Sequence, residues 1–310
     1  MYNVSVSPHI RDKSSTKKIM LDVCIALMPT LAFGVWHFGI NALLVIISSV
    51  LSCVISEAVF ELIAKKPITV FDLSAVVTGL ILALNMPPNI AWWVPAVGGV
   101  FAIIIIKMLF GGIGQNIINP ALGARCFLLI SFASRMTDFS VDGVSSATPL
   151  ASLKAGGSID LLDAFLGFRN GCIGEVSCLA VLIGAAYLLI KKVISIRIPA
   201  VYIISAMLFI FLFNLSGGVP SANYMLGQLL TGGLLSGAVF MATDYTTSPI
   251  TKGGQVIYAA LIGFLIAVFR VLGSSAEGVS YAIIISNLLV PLIEKISVPK
   301  AFGIRKKEEV

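Results

Sequence analysis

Apolar runs near the length of a bilayer crossing recur about ten times along this 310-residue chain, with only short polar segments between most of them. They fall near Ile19 to Trp36, Asn41 to Ala64, Leu73 to Met86, Trp92 to Leu109, Pro120 to Phe132, Val176 to Ile190, Ile198 to Leu215, Met225 to Thr243, Val256 to Val271 and Val279 to Ile293. Each is roughly 13 to 24 residues long, and the third and fifth are short. A soluble domain of this size cannot bury what these runs carry, because 58% of the residues are hydrophobic, 12% are charged and the mean hydropathy is +1.01. Lipid must solvate the rest, so the expected fold class is an all-α polytopic membrane protein. The first eighteen residues are polar and basic, so insertion is expected through the spans themselves and not through a cleaved signal peptide.

Charge sets the orientation. With the N-terminus inside, the cytoplasmic segments collect Arg11, Lys13, Lys17, Lys18, Lys65, Lys66, Lys107, Lys191, Lys192, Arg197, Lys252, Lys295, Lys300, Arg305, Lys306 and Lys307. The outer side keeps only Arg135, Lys154, Arg169 and Arg270. That asymmetry predicts an even span count with both termini cytoplasmic. The formal net charge of +6 is thus spread as topology signals, and a nucleic-acid partner is not expected. The five cysteines (Cys24, Cys53, Cys126, Cys172, Cys178) show no C-x-x-C pair, so neither a disulfide framework nor a protein-ligated zinc or iron–sulfur site is expected.

Two stretches resemble each other. Thr78 to Asn85, followed by Pro87 and Pro88, is echoed by Ser236 to Thr243, followed by Pro249. Downstream, Lys107, Gly111 and Gly114-Gln115-Asn116 are echoed by Arg270, Gly273 and Gly278-Val279-Ser280. A true match divides the chain into a cytoplasmic segment 1–18, a five-span repeat 19–135, an outer loop 136–175, a second five-span repeat 176–296 and a basic tail 297–310. An odd number of spans per half inverts the second half relative to the first. The alternative is that Gly-rich membrane helices resemble one another through packing composition alone.

Carboxylates in or near spans belong to ion pathways or to the interface. Glu57 and Glu61 lie one turn apart beside Lys65 and Lys66 and read as a snorkelling interfacial cluster. Asp22, one turn after Lys18, invites the same reading and is carried as a second ion-pathway candidate. Asp244 is the stronger one, because Thr243, Thr246, Thr247 and Ser248 surround it at a break in the repeat. Arg125 is too deep for a topology signal and needs an anionic or carbonyl partner. Gly111, Gly112 and Gly114 with Asn116 and Asn119 lack the lysine-serine ending of a phosphate loop, read as a re-entrant bend into the fifth span that helps form an inner cavity, and are carried as cofactor-binding candidates. His9 and His37 are isolated. Thr148-Pro149 by itself is an ordinary helix start, with no base or metal site near it, so no catalytic residue is assigned.

Ser145-Ser146-Ala147-Thr148, however, resembles the Ser-x-Ala-Thr flavinylation motif of a known family. That family joins the D subunit of the Rnf ion-translocating electron-transport complex to the B subunit of the sodium-translocating NADH:quinone oxidoreductase. Ser7-Pro8-His9-Ile10-Arg11 and the run from Gly111 to Ala121 are similar to the same family, and the three motifs span essentially the whole chain. The length suits the Rnf protein. The resemblance implies FMN joined through its phosphate to the Thr148 hydroxyl by a separate flavin transferase on the outer face, and a urea-channel-like inverted-repeat fold. It also implies a bacterial inner-membrane subunit that relays electrons between ferredoxin and NAD, beside flavin and iron–sulfur subunits, while sodium ions or protons move. Riboflavin, associated with the relative, is a further expectation with no residue assigned. The competing readings are a non-redox transporter or channel for a small solute, and a scaffold for other membrane subunits.

Overall fold

A computed structural model describes residues 15–139, 149–154, 157, 159–175, 177–215, 218–273 and 278–299. Five of its helices are long and apolar enough to cross a membrane: α1 (Thr16–Phe38), α2 (Ile40–Ile63), α7 (Arg197–Asn214), α10 (Lys252–Leu272) and α11 (Val279–Ser297). Four shorter apolar helices lie among them: α3 (Ser74–Leu84), α4 (Trp93–Met108), α5 (Pro120–Ser131) and α6 (Cys178–Ile190). The eighth expected span is broken. Its halves, α8 (Ala222–Leu230) and α9 (Leu234–Met241), meet at 54° across Thr231, Gly232 and Gly233. Three short helices, Ala133–Met136, Pro149–Lys154 and Leu161–Leu166, belong to the long connection.

The ends follow local chemistry. Side-chain oxygens of Ser15, Asn119, Ser177, Ser221 and Thr251 accept from the first free N–H groups of α1, α5, α6, α8 and α10. A single residue, Gly39 at φ 72°, turns α1 into α2. Three helices finish in wide π turns, over Phe101–Met108, Gly237–Met241 and Val268–Leu272. Their bonds include Leu109 N–H to the Ile104 carbonyl and Gly273 N–H to the Val268 carbonyl, each at 3.1 Å. Such turns re-aim side chains inside a helix, and here the first and last carry Lys107 and Arg270.

α2 runs antiparallel to α3 along three rungs. The Ser49 hydroxyl donates to the Gly79 carbonyl at 2.8 Å, Glu57 and Ser74 meet on Lys107, and Glu61 accepts from the Thr69 N–H at 3.0 Å. The top rung is close because of Gly79, where a Cβ would sit 2.7 Å from the Val50 Cα. Replacing Gly79 by alanine is therefore expected to cost about 1–3 kcal/mol, read as a lower melting temperature of the detergent-solubilised protein. Gly99 of α4 packs on Ser52 of α2, and Gly263 of α10 packs on Ser205 of α7. Small residues at both crossings bring the backbones together, which is how helices associate without a water-driven force. One buried cluster then draws on α1 to α7 and on α9, α10 and α11.

Two expectations change. Lys107 and Arg270, expected as charges at the membrane surfaces, are buried at 1% and 4% exposure. Glu57 and Glu61, expected to snorkel, are each 1% exposed. By the rise per residue Glu57 lies about 10 Å inside the end of α2, beyond the reach of a glutamate stem to water, so it takes an internal counter-ion instead.

Candidate functional site

The two stretches that resemble each other in sequence meet across a central cavity of about 80 Å³. Thr78 and Ile81 of α3 form one wall, and Val239 and Phe240 of α9 form the other. Thr243 and Asp244, which follow α9, and Asn116 and Asn119, which precede α5, complete it, with Lys107 and Ser74 at one side. Among the sequence-predicted residues, Asn116, Asn119 and Asp244 are thus brought together.

Each polar group has a definite state. Asn119 caps α5 through its Oδ1 and donates its Nδ2 to the Met241 carbonyl at 3.4 Å, so the same residue ties α5 to α9. The Asn116 Oδ1 is buried with no hydrogen-bond partner. Thr78 and Thr243 spend their hydroxyl hydrogens on carbonyls of their own helices, Ser74 and Val239, which leaves the oxygens as acceptors. Asp244 is half-buried and accepts from the Thr246 N–H at 3.4 Å and from the Thr246 and Thr247 hydroxyls at 3.1 and 3.2 Å. Burial pushes its carboxyl above the usual aspartate range, against the pull of those three bonds. A carboxylate, hydroxyl oxygens and an unpaired amide oxygen form a hard, oxygen-only donor set of the kind that suits an alkali cation or a proton.

The glycines sit apart from this wall. Gly111, Gly112 and Gly114 have φ of 124°, 101° and 86°, and they shape the bend that carries Asn116 and Asn119 to the cavity. Asp22 is not at the cavity either, and accepts from the Tyr187 hydroxyl at 2.8 Å across the α1–α6 contact. Ser145, Ser146, Ala147 and Thr148 lie outside the described residues. Pro149, the next residue, lines a second, smaller pocket with Leu150, Arg169, Glu175 and Gly232.

Lys107 is the site residue that sequence reasoning missed. Its ammonium donates to Glu57 Oε1 at 2.7 Å and to the Ser74 hydroxyl at 2.5 Å, and Ser74 in turn donates to Asp72 at 2.6 Å. Read as the basic end of an apolar run, Lys107 looked like a surface charge. The available signal was Glu57, whose depth in α2 demanded a cation. Arg270 is held differently: its guanidinium donates to the Gln228, Thr231 and Gly232 carbonyls at 2.6–3.0 Å and so clamps the break between α8 and α9. Arg125 finds the partners its depth required, Asn85 at 2.6 Å and Ser280 at 3.1 Å, with Glu175 at 3.7 Å.

The profile of the NQR2, RnfD, RnfE family matches residues 3–303. The chain is 48% identical to the D subunit of the Na(+)-translocating ferredoxin:NAD(+) oxidoreductase complex of Acetobacterium woodii, over 98% of this chain and 96% of the relative. It is 41% identical to the D subunit of the proton-translocating ferredoxin:NAD(+) oxidoreductase complex of Clostridium ljungdahlii, over 99% and 97%. A third relative, the D subunit of the ion-translocating oxidoreductase complex of Stutzerimonas stutzeri, is 36% identical over 94% and 93%.

Proposed function

The chain belongs to the NQR2, RnfD, RnfE family, and from that premise we propose that it is the D-type membrane subunit of an Rnf complex. That complex couples electron transfer between ferredoxin and NAD to movement of Na⁺ or H⁺ across the bacterial inner membrane. The observation that carries the reading is similarity along essentially the entire length, at 48% identity. Two relatives of comparable similarity are named for different cations, so similarity leaves the cation open. The other flavin and iron–sulfur subunits are its partners, and both of its termini are cytoplasmic.

In this reading FMN is esterified to Thr148 on the outer face by a flavin transferase, and supplies a one-electron relay that does not dissociate. The described residues next to the attachment point fit a phosphate. Arg169 lines the pocket that begins at Pro149, and its Nη1 is buried without a partner. That guanidinium would hold the flavin phosphate, whose charge it matches. Burial lowers the Arg169 pKa against the pull of Cys178 and Glu175, and its Nη2 is already held by the Glu175 and Leu230 carbonyls, so Nη1 is the nitrogen that would meet the phosphate. Riboflavin is part of the proposal without an assigned residue, and the central cavity of about 80 Å³ is too small for its ring system without movement of the walls.

Two inverted five-span halves, 19–135 and 176–296, are supported by the pairing of like features. Gly99 on Ser52 parallels Gly263 on Ser205, and Lys107 and Arg270 both sit on π turns and both reach a residue four positions before the resembling stretch, Ser74 and Gly232. The cavity between the halves then gives cations access to Asp244.

Deleting this chain is expected to remove ferredoxin-driven NAD⁺ reduction and the accompanying cation uptake from membrane vesicles, with the wild-type gene restoring both. Persistence of both in the deletion would sink the reading. Asp244→Asn is expected to lower cation uptake per electron on the order of tenfold while leaving flavin content unchanged. Because burial raises the Asp244 pKa, protons should compete there above the pH at which an ordinary aspartate titrates. Uptake of Na⁺ by the wild type should accordingly fall with pH in that window and stay flat in the Asn variant.

A further inference from the structure

The short helix Pro149–Lys154 begins at the residue after Thr148, and its two ends face different pockets. Leu150 and Leu153, one turn apart and both buried, fix it in place by packing on Gly232 and Gly227, positions where a Cβ would collide with them. At the Pro149 end lies the pocket that holds Arg169. Its wall is anchored, because the stretch that brings Gly171 and Glu175 to it also closes α3: the Ile173 N–H donates to the Met86 carbonyl at 3.0 Å, and the Gly174 N–H donates to the Leu84 carbonyl at 2.7 Å.

At the Lys154 end lies a larger pocket of about 550 Å³, with Leu153, Asn214, Asn223, Tyr224 and Val271 in its walls. Arg270 joins the two, since it lines the larger pocket and donates to the carbonyl of Gly232, which lines the smaller. Only the larger one has the volume of a small-molecule site, about 300–1,000 Å³, because the pocket at Pro149 holds about 10 Å³. Its walls suit a flat ring with polar edges. Tyr224, half-buried in the first turn of α8, offers an aromatic face. Asn214 spends its Nδ2 on the Ile210 carbonyl at 2.8 Å, which leaves its Oδ1 to accept from a ring N–H, and Asn223 brings a second amide to the rim.

We propose that Tyr224, Asn214 and Asn223 form the cradle for the isoalloxazine ring of the tethered flavin, with Arg169 at its phosphate end. This rests on the reading that Thr148 carries FMN. The short helix sets the spacing, because it rises about 8 Å from Pro149 to Lys154, which a five-carbon ribityl chain with its ester oxygen can cover. A lipid chain lodged in the larger pocket would need neither the amides nor the aromatic face. A phenol in contact with an isoalloxazine ring quenches its fluorescence by transient electron donation to the excited ring, so Tyr224 makes the cradle visible.

The test uses the complex purified from its own membranes. Tyr224→Ala should leave the flavin that survives denaturation at the wild-type level and raise native flavin fluorescence on the order of fivefold, with quenching by iodide rising in step. Tyr224→Phe keeps the flat face and removes the electron donor, so emission should rise while iodide access stays as in wild type. Unchanged emission and iodide access in Tyr224→Ala would put the ring elsewhere and overturn the proposal. If Tyr224→Ala does not assemble, the neighbouring exposed position decides. The thiol of Asn223→Cys should react with a maleimide about tenfold faster when Thr148→Ala is added, because no ring then covers it. Equal rates overturn the cradle. A wild type with no flavin on the denaturing gel overturns attachment at Thr148 and the cradle with it, so the two failures are told apart.

Discussion

Thr148→Ala is expected to strip this chain of all flavin that survives denaturation, a complete loss from a single substitution. A phosphoester requires a side-chain oxygen, and alanine has none. Thr148→Ser keeps the oxygen and should retain attachment at a reduced level, which separates loss of chemistry from loss of fold. Intact mass and in-gel flavin fluorescence of protein purified from its own membranes report the result directly. Flavin that persists in Thr148→Ala would move the attachment to another hydroxyl of the motif, with Ser145 and Ser146 the first to replace. Absence of covalent flavin from the wild type, with the transferase present, would remove the electron-relay role. Arg169→Gln offers a companion measurement: the attached flavin should remain, with a shifted fluorescence or reduction potential, because the phosphate has lost its counter-charge and not its bond.

Lys107→Met is expected to destabilise the protein by about 3–5 kcal/mol, enough to prevent most of it from assembling. Glu57 is 1% exposed and receives the Lys107 ammonium at 2.7 Å on Oε1, while its Oε2 has no hydrogen-bond partner. Removing the lysine leaves a carboxylate in an apolar interior with nothing to offset its desolvation. Glu57→Gln strands the ammonium instead, although Ser74 still accepts from it at 2.5 Å, so that variant should suffer less. The double variant Glu57→Gln with Lys107→Met replaces a costly pair by neutral groups of similar shape, and should recover most of the lost stability. Melting of the four proteins in one detergent closes the cycle. A loss below about 1 kcal/mol for Lys107→Met would mean that water already reaches Glu57.

These two predictions differ in origin. The proposal at Thr148 comes from a short local motif, since attachment of a group by a dedicated enzyme would depend on a few neighbouring residues. The Lys107 pair was not legible in that way, because its members lie fifty residues apart and meet only when the π turn of α4 aims the lysine back at α2. Arg125 was intermediate. Its depth within an apolar run already demanded a partner, but Asn85, Ser280 and Glu175 come from three separate parts of the chain.

The sequence by itself determined that the chain is a helical, polytopic membrane protein, because lipid selects for length and apolarity residue by residue, while the break in the eighth expected span was not legible there. It also placed the bend before α5 and the hydroxyl-rich turn at Asp244, since glycine, proline and capping residues act within one turn of themselves. Tertiary structure alone decided which charges left the surface, that Asn116, Asn119 and Asp244 share one cavity while Asp22 pairs with Tyr187, and that a stretch of the outer connection turns inward to close α3. The reason is that desolvation is a property of the packed assembly. A lysine at the end of an apolar run can reach water or a buried glutamate with the same stem, and only the position of the neighbouring helix determines which is nearer.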